Sequence, residues 1–479
     1  VKNRWPAILI LAAYLLVGTF YAVYTPRWQV PDEPAHYNYI RALAAGEGFP
    51  VLEPGDYDQQ YLEQLKSEHF PPQLPITEVE YEDHQPPLYY LLATPIYLLS
   101  NGATLPLRLF SLLLGAGALI ALMAIGHEVF PRRTELAWLA AGIVAFIPQH
   151  IAMMAGINND ALTEALTFFW IYLALRYLRG LVHPAALGAL LGAILLTKTT
   201  AYSVALLGIL VIALRWNREG RSWRWALMQA VQMYTPATLL GMLWWGRDLS
   251  VYGWPDLFGL GRHNDVVVGQ PRTADWIAQY GWGAYLQHFF QTTFQSFWGQ
   301  FGWMGVILNE QVYLSLALFT SLMIWGAVWQ FVEALQHGLP PRQKSALIVL
   351  GVLGGITCTV IYLGYNFTFV QHQGRYLYPA LPALALAGAV GLSRLAERKL
   401  AVITWIPFII LAVITLIMGL VQGDIPVKNL MLIVMAPISV TIAAWVPERW
   451  RPVMGALVLA ALFALDWYCL FGFIVPLLS

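Results

Sequence analysis

Charge is what this chain has least of. Only 11% of its 479 residues are Asp, Glu, Lys or Arg, and 58% are apolar. A water-soluble surface carries about a quarter or more charged residues, so a soluble globular protein of this length is excluded. The 27 basic and 27 acidic residues cancel. That balance leaves no basic field of the kind nucleic acid requires, and no nucleic-acid partner is expected. Cysteine is nearly absent. Cys358 and Cys469 both fall inside apolar runs, which argues against a disulfide framework or a thiolate metal centre.

What is abundant is apolar and aromatic sequence, with 20 Trp, 24 Tyr and 22 Phe. A bilayer crossing needs about 20 apolar residues, fewer where protein wraps the helix. Runs that suit it are 7–24, 106–125, 135–153, 160–178, 185–198, 200–215, 226–246, 312–334, 345–365, 377–394, 401–420, 428–446 and 453–475. The fold class expected is therefore an all-α polytopic membrane protein with about 13 transmembrane helices. The first run follows a basic start but has no small-residue cleavage site, so it reads as a retained helix.

Basic loops set the orientation. "HEVFPRR", "RYLRG", "RWNREGRSWR", "GLPPRQK", "SRLAERK" and "PERWRP" belong on the cytoplasmic side with Lys2 and Arg4. The N-terminus is then cytoplasmic, and 26–105, 247–311 and 366–376 share the exoplasmic side. "PPLYYLLATPIYLLS" (86–100) is too short to cross and reads as an interfacial helix. The loop 26–105 is too long for a mere connector, and it carries further helices expected at Pro34–Ala45 and Asp56–Ser67.

Five short stretches on that side carry groups able to do chemistry. In "VPDEPAHY", Pro31 and Pro34 frame Asp32 and Glu33 ahead of a helix. Either carboxylate would serve as a helix cap, and either would serve as a general base. His36 follows one turn on. In "YEDHQPPLYY", Glu82 and His84 precede the interfacial helix. Asp32, His36 and His84 with an acidic neighbour would make a hard-ligand metal site, but no ligand spacing supports one. No cofactor is expected to be required, and a divalent cation has no support.

"INNDALTEAL" places Asn159 and Asp160 at a helix start and Glu164 one turn along the same face. "LLTKTTAY" sets Lys198 between two short apolar pieces, where an anion or a carboxylate must offset its cost. "QGRYLYPALPAL" puts Arg375 beside Gly374 and Tyr376. An arginine there can anchor at the interface or grip a phosphate with two parallel hydrogen bonds. The aromatic stretches 244–259 and 296–305 offer sugar-stacking faces, Asp466 reads as a structural hydrogen-bonding group, and "NFT" at 366–368 matches a glycosylation acceptor.

"VPDEPAHYNYIRAL", "HQPPLYYLLATPIY", "RLFSLLLGAGAL", "INNDALTEAL", "LLTKTTAY" and "QGRYLYPALPALALAGAVGL" occur in the order seen in type C glycosyltransferases. The chain most resembles a bacterial group of predicted membrane proteins of unassigned reaction. Protein O-mannosyltransferases and aminoarabinose transferases are more distantly similar. The resemblance implies a catalytic module over about residues 1–400, including loops 26–105 and 247–311, followed by C-terminal helices over 401–479.

It further implies transfer of a sugar from a polyprenyl phosphate to an exoplasmic acceptor, with inversion. The acceptor would be a lipid, polysaccharide or protein, and the setting the bacterial plasma membrane. Asp32 would be the base and Glu33 would shape the acceptor site. Lys198 and Arg375 would hold the donor phosphate, with His36, Glu82, His84, Asn159, Asp160, Glu164 and Tyr376 lining the substrate. A lipid-linked saccharide flippase and a non-catalytic membrane subunit of the same fold are the alternatives; a flippase would need polar groups along the whole crossing.

Overall fold

A computed structural model describes residues 5–479. It is helical almost throughout, and the strands among the described residues are a two-residue hairpin pair, Gln300–Phe301 with Val306–Ile307. Helix α1 (Trp5–Tyr24) is the first crossing; α2 (Glu33–Ala45), α3 (Gln59–Ser67) and α4 (Leu88–Leu99) belong to the long loop. Asp58 caps α3 by accepting from the amides of Gln60 and Tyr61, so that helix begins later than Asp56.

The bundle continues with α5 (Thr104–Val129), α6 (Thr134–Ala145), α7 (Pro148–Met154), α8 (Asp160–Tyr177), α9 (Pro184–Leu195), α10 (Val204–Glu219) and α11 (Trp223–Tyr252). After it come α12 (Leu260–Val266), α13 (Thr273–Trp298), α14 (Glu310–His337), α15 (Pro341–Ile356) and α16 (Gly364–Thr368). Helices α17 (Leu381–Leu395), α18 (Arg398–Gln422), α19 (Val427–Trp445) and α20 (Arg451–Cys469) complete it, with a last short turn α21 (Val475–Leu478).

Among the described residues nine helices are long and apolar enough to cross a membrane, or ten if a bent pair is counted. Each of the 13 expected runs falls on helix, but fewer meet the test of a crossing. Pro148 has no amide hydrogen to continue α6, and the run 135–153 breaks into α6 and α7 at 71°. The run 185–198 shortens to the 12 residues of α9. An integral membrane protein it remains. The 12-residue α4 buries Tyr89, Tyr90 and Ala93 and exposes Leu91, Leu92, Leu98 and Leu99, as an interfacial helix should.

Most of the core is one continuous cluster from Ile10 to Leu478, which takes in α20 and the chain end. Helices α18 and α19 build a second cluster with Leu318 and Leu322 of α14. A third cluster, Tyr39, Tyr90, Leu107, Ile157 and neighbours, clamps the first loop onto the bundle. Within it Tyr39 and Tyr90 stack at 3.7 Å between ring centres. This clamp fixes the floor of the site described next.

Candidate active site

Asp32 starts α2 but does not cap it. Its backbone is left-handed, φ 68°, and its side chain makes no capping bond. Asp is among the few non-glycine residues that tolerate this region, at a cost of about 1–2 kcal/mol. The turn swings the carboxylate away from the α2 amides. Oδ1 accepts from the Tyr81 hydroxyl at 2.8 Å, and Oδ2 accepts from Arg375 Nη2 at 2.8 Å. Burial alone would raise this carboxyl; the Arg375 charge, His36 and the Tyr81 hydrogen bond outweigh it and hold its pKa at about 2.

Arg375 is placed by the segment that carries it. Gly374 lies so close to α13 that an added Cβ would sit 2.3 Å from the Thr293 carbonyl and 2.4 Å from the Phe297 nitrogen. Its amide donates to Ser296 Oγ at 2.7 Å. The glycine therefore serves backbone packing. Arg375 Nε donates to Gln373 Oε1 at 2.7 Å, and the Tyr376 ring lies 5.4 Å from the guanidinium carbon.

Lys198 sits in the break between α9 and the 3-10 turn Thr199–Ser203. Its ammonium donates to Asp160 Oδ1 at 2.6 Å and Asn159 Oδ1 at 3.0 Å. The 81–90 stretch is bound to this turn, since the Leu88 amide donates to the Leu196 carbonyl at 2.8 Å. That contact brings Glu82 toward Lys198. Burial first, and the nearby Asp32 charge second, push the Glu82 carboxyl up to about 8. One of its oxygens, Oε2, is buried without a partner among the described residues.

Asp32, Lys198, Arg375, Glu82, Asn159, Asp160 and Tyr376 thus converge at one end of the bundle. Two of them, Asp160 and Arg375, line a cavity of about 60 Å³ whose wall also includes Glu164, Thr167, Val204 and Leu353. Lys198 and Asp32 reach that wall through their ion pairs with Asp160 and Arg375. The rest of the wall is apolar or hydroxyl-bearing and runs between α8, α10 and α15. Glu164 lies deeper and accepts from, or donates to, His150 Nε2 at 2.9 Å, with both groups buried. His150 carried no sequence signal beyond an isolated ring in an apolar run.

Other expected residues lie elsewhere or play another part. Glu33 does not face the cavity. It is fully buried, and its oxygens accept from Arg108 Nε at 2.7 Å and Nη2 at 2.6 Å, and from the amides of Trp28 and Ile157 at 3.0 and 3.2 Å. Arg108 also donates to the carbonyls of Ala22, Thr25 and Pro26. This pair ties the end of α1 to α2 and α5, so the geometry gives Glu33 no acceptor to shape.

His84 turns away to pack on His263, 4.6 Å between ring centres. His36 is buried beneath the site, with Nδ1 and the Tyr90 hydroxyl 2.9 Å apart. Burial and then the Lys198 charge lower its pKa to about 3, so it is a neutral ring. Among the described residues no three His, Cys, Asp or Glu side chains group to hold a metal, and the set Asp32, His36 and His84 is not assembled.

Three further readings are corrected. Asn366 is 2% exposed and donates through its amide to the carbonyls of Tyr362 and Gln371, so the acceptor side chain of "NFT" is buried within α16 although Phe367 is exposed. Within the stretches 244–259 and 296–305, Trp244 and Trp298 are buried packing residues, whereas Trp254 is 85% exposed. Neither carboxylate oxygen of Asp466 has a partner among the described residues; its backbone carbonyl takes the Tyr21 hydroxyl instead.

No family model and no curated protein matches the chain. Among solved structures, ArnT from Cupriavidus metallidurans bound to undecaprenyl phosphate aligns over 100% of this chain and 77% of its own, at TM-score 0.52 and 17% identity. The chain shares the fold of ArnT. The archaeal oligosaccharyltransferase AglB from Archaeoglobus fulgidus also aligns, over 94% of this chain and 57% of its own, at 13% identity and TM-score 0.44. That second match is too distant to carry an argument. Within this fold the long first loop supplies Asp32 and Glu82, the start of α8 supplies Asn159 and Asp160, and Lys198 stands just before the turn 199–203 and Arg375 in the turn 374–380.

Proposed function

We propose that the chain is a membrane glycosyltransferase that moves a sugar from a polyprenyl-phosphate donor to a hydroxyl or amine acceptor, inverting the anomeric carbon. The observation that carries this reading is the Asp32–Arg375 pair beside a largely apolar cleft that Arg375 lines, with Lys198 paired to Asp160 of the same wall. A phosphate on a prenyl tail needs that combination of two cations above an apolar channel. The neighbour ArnT was solved with undecaprenyl phosphate bound, which supports a lipid phosphate as ligand.

As it stands, Asp32 is a weak base because Arg375 holds it ionised at low pH. A donor phosphate that takes the guanidinium would release that hold and raise the basicity of Asp32. The carboxylate then accepts the acceptor's proton as the acceptor atom bonds to the anomeric carbon. The bond from that carbon to the phosphate oxygen breaks, and Lys198 and Arg375 take up the departing charge. Glu82, Asn159, Asp160 and Tyr376 would line the sugar. The site lies on the exoplasmic face of a bacterial plasma membrane, with the N-terminus inside.

Transfer of radiolabelled sugar from a synthetic polyprenyl-phosphate donor tests this. Asp32→Asn should lose about 100-fold or more of the transfer rate while the melting temperature in detergent stays near wild type. Wild-type transfer by that variant, or no lipid phosphate copurifying with the protein, would overturn it.

A further inference from the structure

The cleft lined by Asp160 and Arg375 is one end of a longer seam. Helices α8, α10 and α15 line it near Thr167, Val204 and Leu353, and the same three helices meet again at their far ends. From Asp160 to Leu178 along α8 is about 27 Å at the helical rise, close to the thickness of a bilayer's hydrocarbon. At that far end a cavity of about 20 Å³ is walled by Leu175, Arg179, Arg218, Arg342, Ser345 and Glu128.

Three guanidiniums from three different helical segments therefore close on one space, with one carboxylate among them. Glu128 Oε1 accepts from Arg179 Nη1 at 2.6 Å and from Arg342 Nη2 at 2.8 Å. Both pairs share a single oxygen. Arg218 lies 3.8 Å from the nearest carboxylate, Glu219, which already binds Arg215 at 2.8 Å and Arg221 at 3.1 Å. Nε of Arg342 is buried and has no partner among the described residues.

A topology signal explains arginines on one side of a membrane. It does not explain why donors from separate helices point into a common cavity with more positive charge than the protein offsets. We propose that this arginine-lined end of the seam binds the phosphate headgroup of an anionic membrane lipid on the exposed parts of Arg179, Arg218 and Arg342. The ligand is a phosphate bearing one or two negative charges. Its source is the leaflet, because Arg218 and Arg342 stand at the ends of two helical stretches long and apolar enough to cross a membrane. The inference stands apart from the transferase reading, since it is read by retention of lipid rather than by transfer.

The test is native mass spectrometry of the full chain released from nanodiscs of phosphatidylcholine with or without phosphatidylglycerol. Wild type should retain a phosphatidylglycerol that inorganic phosphate does not displace. Arg218→Gln leaves the Glu128 pairs intact and should weaken retention about fivefold, the equivalent of about 1 kcal/mol for one arginine at such a surface. Glu128→Gln removes the competing carboxylate and should strengthen retention, which a purely structural role would not do. Equal retention by wild type and Arg218→Gln, weaker retention by Glu128→Gln in a protein of unchanged melting temperature, or ready displacement by inorganic phosphate would each overturn the proposal.

Discussion

Glu33→Gln separates two neighbouring carboxylates that the sequence presents as a pair. In the structure Glu33 is 0% exposed and accepts four hydrogen bonds, two of them from Arg108, itself 2% exposed. Gln is nearly isosteric but neutral, and its amide would point a donor at a donor. Arg108 would keep its three carbonyl acceptors at Ala22, Thr25 and Pro26 yet lose the counter-charge of Glu33. Breaking one side of a buried ion pair costs about 3–5 kcal/mol. Retained carbonyls place this case near the lower end, and the expected result is a clear fall in melting temperature. Asp32 is 22% exposed, and Asp32→Asn leaves Arg375 bonded to Gln373, so it should lose less stability than Glu33→Gln. The assay is thermal unfolding in detergent with transfer measured below the transition. Glu33→Gln should keep transfer per folded molecule, and adding Arg108→Met should restore part of the lost stability. A Glu33→Gln protein of unchanged melting temperature and abolished transfer would refute the assignment of Glu33 to the scaffold.

What the chain disclosed about itself followed physical range. Helix positions were legible because apolar runs of bilayer length need no partner to be recognised, and α1 at Trp5–Tyr24 matches the run 7–24 closely. The break at Pro148 was not read, since 135–153 stands in the sequence as one apolar run of crossing length. Charged residues in such a chain are rare enough that each invites a reason, which is why Asp32, Lys198 and Arg375 could be singled out. Which of two adjacent carboxylates faces the cavity was not legible. It depends on a left-handed φ at Asp32 and on Arg108, 75 positions beyond Glu33. Arg108 itself sits at the start of an apolar run, where a snorkelling arginine would look the same. His150 and the seam's arginine end depend likewise on contacts between helices distant in sequence.

The pH dependence of transfer should carry Glu82. Its carboxyl is raised to about 8 by burial and by Asp32, so below that pH it is neutral and above it a second negative charge opposes the departing phosphate. Transfer should decline as pH rises through about 8 in wild type and stay level in Glu82→Gln; identical profiles would remove Glu82 from the cavity's electrostatics. The remaining prediction concerns how Arg375 is aimed. A methyl group at Gly374 would meet backbone atoms of α13, at 2.3 Å from the Thr293 carbonyl and 2.6 Å from Phe297 Cα, and no side-chain rotation relieves that. Gly374→Ala must therefore lift the segment off α13, break the amide bond to Ser296 Oγ, and move Arg375 away from Asp32. Gly18→Ala is the control, since its new methyl would meet only the flexible end of Leu112. The expected outcome is a raised KM for donor and a lower kcat in Gly374→Ala, with both near wild type in Gly18→Ala. If Gly374→Ala kept wild-type KM and kcat, the position of Arg375 would not depend on that backbone approach, and the packing of 371–376 against α13 would not be what arms the site.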